Sequence, residues 1–198
     1  MKSGGVDYTR LTLAEVESGL VAVAAEVRST FSRLDTRQLN WQVGADRWSV
    51  AQCLDHLLAA NRLMLRAADD ALAGSAPRSV WQRLPILPAV LGRMLIRSQS
   101  PGATRRFTAP VQAHPASSGI EADIVQRFLA QHQDAVARLQ TLDADRAARA
   151  IMTSPFIKVV TYSVLDGWRL ILAHDGRHVQ QAHGVMRSPG FPASPSAG

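Results

Sequence analysis

From Val164 to Val185 the chain reads Val-Leu-Asp-Gly-Trp-Arg-Leu-Ile-Leu-Ala-His-Asp-Gly-Arg-His-Val-Gln-Gln-Ala-His-Gly-Val. Val164, Trp168, Ile171, His174, His178, Ala182 and Val185 recur here at intervals of three and four, the stripe of a helix packed on a core. Ser163 with Asp166 marks the start, so a helix is predicted over 163–186. His174 and His178 stand one turn apart on that stripe, a spacing from which two imidazoles reach one cation. Buried imidazoles require a hydrogen-bond partner or a metal, because an unsatisfied polar ring in an apolar core is costly.

Working outward, three further helices have the same kind of pattern. Thr12 and Glu15 have capping-box spacing, and Leu13, Val16, Leu20, Val23, Val27, Phe31 and Leu34 predict a helix over 12–34. Ser49 and Gln52 open a second, over 50–72, whose narrow polar face carries Gln52, Asp55, Arg62, Arg66 and Asp69. Ser118 and Glu121 are expected to cap a third, over 119–142, bearing Ile120, Ile124, Phe128, Val136 and Leu139. Four main helices make an all-α four-helix bundle. Between the second and third, residues 74–118 are punctuated by prolines and read as a long crossover with one short apolar helix near Leu87 to Arg97. Strand patterning is absent, apart from a brief extended reading at Ile157 to Tyr162. Residues 188–198 are, apart from Phe191, Pro, Gly, Ser and Ala and are expected to be a disordered tail, leaving 1–187 as one domain.

Composition narrows the class. At 198 residues with 46% hydrophobic and 19% charged residues, the chain can bury one sizeable core and is neither a disordered polymer nor a coiled-coil rod. A single cysteine, Cys53, forms no internal disulfide, and on an apolar helix it reads as a small core residue in a reducing, cytoplasmic setting. Met1 to Arg10 lacks the apolar region of a secretory signal, and the apolar run Leu84 to Ile96 is too short to span a bilayer. The net charge of +6 is concentrated: no Asp or Glu falls between Asp70 and Glu121, where Arg78, Arg83, Arg93, Arg97, Arg105 and Arg106 lie. Prolines interrupt that cluster and aromatic interleaving is missing, so nucleic acid is not the expected partner.

His56 lies outside the polar face of the second helix, toward one edge of its apolar sector. It is therefore a candidate to join His174 and His178. Three histidines leave a divalent ion such as zinc with an open position, the arrangement of a catalytic rather than a structural site. The competing reading is a core histidine satisfied by hydrogen bonds. His132, between Phe128 and Val136 on the third helix, is a further candidate, whereas His114 and His183 read as surface residues. A zincin reading fails because Asp175 stands where the general-base Glu of that motif is required.

Trp41 followed by Asp46 to Leu57, Asp-Arg-Trp-Ser-Val-Ala-Gln-Cys-Leu-Asp-His-Leu, resembles the DinB-like family, in which a Trp-Ser step opens a helix carrying the first metal-binding histidine. Asp166 to Val179 resembles that family's last helix with its His-x3-His pair, here preceded by Ser154, Pro155 and Phe156. The resemblance runs from about Leu11 to Met186 and implies a DinB-like four-helix bundle with His56, His174 and His178 as a triad for zinc, nickel or another divalent ion. Characterised relatives include transferases and isomerases dependent on bacillithiol, mycothiol or glutathione. The family name, taken from damage-inducible genes, does not itself imply DNA repair.

The function expected on these grounds is metal-dependent transfer of a low-molecular-weight thiol to a small electrophile. A cation with an open position lowers a thiol's pKa, and Arg93, Arg97 and Arg106 are candidates to hold the carboxylates of a thiol cofactor. Metal-dependent hydrolysis and a non-enzymatic, metal-tied stress-response role are the alternatives. Asp55 and Asp175 flank ligands in sequence, but helical geometry turns them about 100° away, to surface or supporting positions. A homodimer would cover Trp81, Ile86 and Leu87.

Overall fold

Capping decides where several of the helices begin. In the computed structural model, which describes residues 6–75, 86–103, 110–116 and 119–193, Thr12 and Glu15 form a reciprocal capping box at the head of α1 (Leu13–Phe31). Ser49 and Gln52 do the same for α3 (Val50–Ala73), and Asp35 with Gln38 for the short α2 (Thr36–Asn40) between them. Each box satisfies backbone N–H groups that the first helical turn leaves without partners. Gly74, at φ +69°, ends α3 in the left-handed conformation that lets its N–H reach back to Asp70 and Ala71.

Helices α1, α3, α5 (Ile124–Gln140) and α7 (Val164–Met186) form the bundle. α1 packs on α5 and α7, and α3 packs on the same two, so α1 and α3 stand diagonally across the core. Leu20, Phe31, Leu54, Leu57 and Phe128 are among the residues sealed inside. Each such side chain contributes roughly 1.5–3 kcal/mol through removal from water. The all-α reading therefore holds, with two small additions in α2 and α6 (Ala144–Arg149). A two-stranded antiparallel hairpin, β1 (Ile151–Thr153) with β2 (Thr161–Ser163), pairs Met152 with Tyr162. Extended structure was anticipated only toward Tyr162; its partner strand is three residues long, too short for alternation to register.

The apolar helix of the crossover is α4 (Leu87–Gln99), lying on α7 and β2. Close approach there depends on Gly92, where a Cβ would meet Asp166 Oδ2 at 2.8 Å and the Tyr162 Cβ at 3.0 Å. Ile86, expected to need cover, is exposed; Trp81 lies outside the described residues.

Two expectations are corrected. The third bundle helix starts at Ile124 rather than 119, because Asn40 accepts from the Ile120 N–H and donates to its carbonyl, holding the chain extended while Ile120 enters the core. Of the expected cap, Glu121 precedes the helix and Ser118 lies outside the described residues. At the other end, the segment from Ser188 to Ala193 is packed rather than a loose tail. Phe191 meets Trp41 edge-on at 5.5 Å, and the Pro192 and Ala193 carbonyls accept from Gln38 and Arg37. Residues 194–198 of that expected tail lie outside the described residues.

Candidate metal centre

His56 on α3 and His174 and His178 on α7 meet where these two helices pack. Each offers one ring nitrogen, and the three atoms all lie within 4.8 Å of one another. His56 Nε2 faces His174 Nε2 at 3.2 Å, and the rings of His174 and His178 are nearly perpendicular at 4.6 Å. His56 and His178 are buried, while His174 keeps partial access through an adjoining cavity.

The proton arrangement at His56 follows from its second nitrogen. Nδ1 sits 2.5 Å from the Ala113 carbonyl, which can only accept, so Nδ1 carries the hydrogen and Nε2 presents its lone pair to the cluster. The crossover supplies that carbonyl and is itself tied to α3: Asp55 Oδ2 accepts from the Ala116 N–H, and Gln52 donates to the Ala116 carbonyl. Asp55 thus anchors the crossover. Trp48 completes the wall, its ring stacked on His178 at 5.6 Å and tilted against His56 at 4.8 Å.

Electrostatics leave all three imidazoles neutral near pH 7. Burial lowers His56, opposed by its bond to Ala113. Burial also takes His174 well below the usual imidazole range, reinforced by His178, His56 and Arg177. His178 falls to about 3, again chiefly through burial, with His56 and Arg177 adding to it. Neutral imidazole is the form that binds metal, and protons compete weakly for nitrogens with such low affinity. His178 Nδ1 is buried and has no hydrogen-bond partner among the described residues. That donor set, three nitrogens within reach of one ion and one ring nitrogen unsatisfied, fits a borderline divalent cation such as zinc or nickel.

A cavity of about 340 Å³ opens beside the cluster, with His56 and His174 in its wall and Met64, Leu95, Phe156 and Leu170 among its apolar lining. Of the arginines proposed from sequence, Arg93 and Arg97 are exposed on α4 and are not among its lining, and Arg106 lies outside the described residues. The arginine beside the histidines is Arg177, partly buried and donating to the Ser98 carbonyl.

His132 does not join the three histidines. Its Nε2 lies 3.0 Å from Asp175 Oδ2 and its ring stacks on Phe128. Asp175, wholly buried, also accepts from Asn61 Nδ2 at 2.9 Å. Asn61 carried no signal in the sequence, since one amide on an apolar sector resembles any helix-edge polar residue. Asp175 was legible as pointing away from the ligand face, whereas its partners on α3 and α5 depend on tertiary packing. His183 bonds Glu26 near the surface, and exposed His114 lies edge-on to Trp48. Cys53 is buried in the core, where burial pushes its thiol up to about 12, unsuited to nucleophilic work.

Among comparisons with known proteins, the family model described as DinB superfamily matches residues 20–182. No curated protein and no solved structure gives a match.

Proposed function

The chain belongs to the DinB superfamily, and from that membership and its histidine cluster we propose a divalent-metal-dependent enzyme that joins a low-molecular-weight thiol to a small electrophile. The observation that carries this reading is the convergence of three neutral imidazoles beside a cavity. His56, His174 and His178 would hold the ion. The chemistry such an ion supplies is acidification of a thiol, so that its nucleophilic form exists at neutral pH.

The protein's own groups do the rest. Ala113 fixes the His56 tautomer, Trp48 shields the histidines from bulk water, and the cavity holds the electrophile within reach. In the addition form of the reaction, the thiol S–H bond and a carbon–carbon π bond of the electrophile break, sulfur bonds to one carbon and the proton ends on its neighbour. Atoms balance without a further reactant.

The test starts with metal. Protein purified without chelator is analysed by elemental mass spectrometry beside the His174→Ala/His178→Ala variant, and thiol loss is then followed with bacillithiol, mycothiol or glutathione and a panel of electrophiles. Near-stoichiometric divalent metal, absent from a still-folded variant, together with metal-dependent thiol consumption supports the reading. Protein that takes up neither zinc nor nickel overturns it. A metal-loaded protein that hydrolyses esters and ignores thiols points to hydrolysis, and one that unfolds on chelation without any turnover points to a structural ion.

A further inference from the structure

The cavity beside the histidines has a lining that selects a chemical class. Among the described residues, no Asp, Glu, Lys or Arg contributes to it. Its non-histidine polar residues are Asn61, Ser98, Gln99 and Ser154, set in an otherwise apolar wall. A cavity of about 340 Å³ accommodates more than a single ring, since roughly 150 Å³ suffices for benzene. A charged ligand that does not bind an ion held by the histidines would lose its hydration in such a space without a counter-charge among these residues, whereas a neutral, largely apolar one would gain from burial.

Asn61 adds direction. Its side chain is 3% exposed and lines the cavity. Asp175 accepts from its Nδ2, and because a carboxylate oxygen needs a donor opposite it, the amide cannot be turned the other way. Asp175 is in turn held by His132 through its other oxygen, so the orientation is braced from α5. Asn61 Oδ1 is left buried and, among the described residues, without a hydrogen-bond partner. A buried acceptor in that condition is costly, and a ligand that donates to it removes the cost.

We propose that this cavity binds the neutral, largely apolar electrophile, and that Asn61 Oδ1 accepts one hydrogen bond from it. The proposal deepens the function given above and rests on it for the reaction, but ligand binding itself requires no turnover.

Calorimetric titration with indole, benzofuran and indole-2-carboxylate tests it, on the protein as purified and, for the carboxylate, after chelation so that no ion offers it a ligand position. Indole and benzofuran share shape and differ in the N–H donor, while the third probe adds a charge. Indole is expected to bind about tenfold more tightly than benzofuran, the loss for one unmade buried hydrogen bond, and the carboxylate more weakly than indole. Asn61→Ala should bring indole and benzofuran within twofold of one another. Leu170→Trp, which fills the cavity and leaves the Asn61–Asp175 bond in place, should abolish indole binding, and it keeps the test decisive should Asn61→Ala fail to fold. Equal affinity for indole and benzofuran in the parent, tightest binding of the carboxylate, no binding of any probe, or unchanged binding in Leu170→Trp would each overturn the proposal. Metal content and thiol turnover, read on the same samples, separate its failure from that of the metalloenzyme reading: a metal-loaded, active protein that ignores indole refutes only the cavity assignment.

Discussion

Acidifying the metal-free protein should unfold it, and His178 sets the scale. Its imidazole titrates near 6.5 when the chain is unfolded and at about 3 when buried in the cluster. The unfolded chain therefore takes up this proton first, and stability rises with pH across the interval between those values. The contribution is complete above 6.5 and is lost progressively as pH falls toward about 3. Each pH unit in that window removes about 1.4 kcal/mol per such histidine, so moving to about pH 5 costs roughly 2 kcal/mol from His178 alone. His174 and His56 are shifted in the same direction and add to it. Urea denaturation followed by circular dichroism at pH 7.5, 6.5, 5.5 and 5.0, in chelator-treated protein, reads the slope. In thermal melts, 2 kcal/mol corresponds to roughly 4–8 °C for a chain of this size. The His178→Phe variant should show a slope reduced by about one proton's worth, near 1.4 kcal/mol per pH unit. Stability that is flat from pH 7.5 to 5.0, or a slope unchanged in the variant, would refute the argument that burial keeps these rings neutral.

Asp175→Ala should cost about 3–5 kcal/mol in denaturant titrations, because it strands the His132 and Asn61 donors in the core; a loss under 1 kcal/mol would show that the network is not a unit. Gly92→Ala is expected to lower stability by about 1–3 kcal/mol by forcing α4 off Asp166 and Tyr162, and a neutral effect would mean the helices separate freely. Cys53 should remain unmodified by a thiol-reactive chromogen at pH 8 and react fully in urea, and stoichiometric labelling of the folded protein would contradict its burial. Ending the chain after Arg187 removes Phe191 from Trp41 and should lower the melting temperature by roughly 2–6 °C in a scan against the full chain, whereas an unchanged midpoint would argue that the contact is idle.

The bundle was readable because its helices announce themselves locally. Thr12 with Glu15 and Ser49 with Gln52 form the caps their spacing implies, and the apolar stripes of α1, α3 and α7 lie on the core. Of the histidines that meet, His174 and His178 were legible on an inward stripe of α7, while His56 stood toward the edge of the apolar sector of α3 and was a candidate to join them. What escaped the sequence was decided by contacts between distant segments. Asn40 on Ile120 delays the start of α5, Phe191 on Trp41 orders the segment after α7, and Asp175 draws His132 away from the histidine cluster. Arg93 and Arg97 belong to a genuine charge excess, but the face of α4 that they occupy is set by where Gly92 meets α7, which no local pattern encodes.

The distance along the chain between His56 and His174 also orders events during synthesis. Two of the three imidazoles reside on α7, the last bundle helix to leave the ribosome, and Ala113, which orients the first, arrives midway. Until α7 emerges, a nascent chain offers only His56 of the three and an open groove between α1 and α3, so no ion finds the three-histidine cluster on it. Capture of an ion through this cluster would thus report that synthesis and closure of the bundle are complete, and a chain arrested before α7 would be left as an apolar, metal-free intermediate of the kind that chaperones recognise.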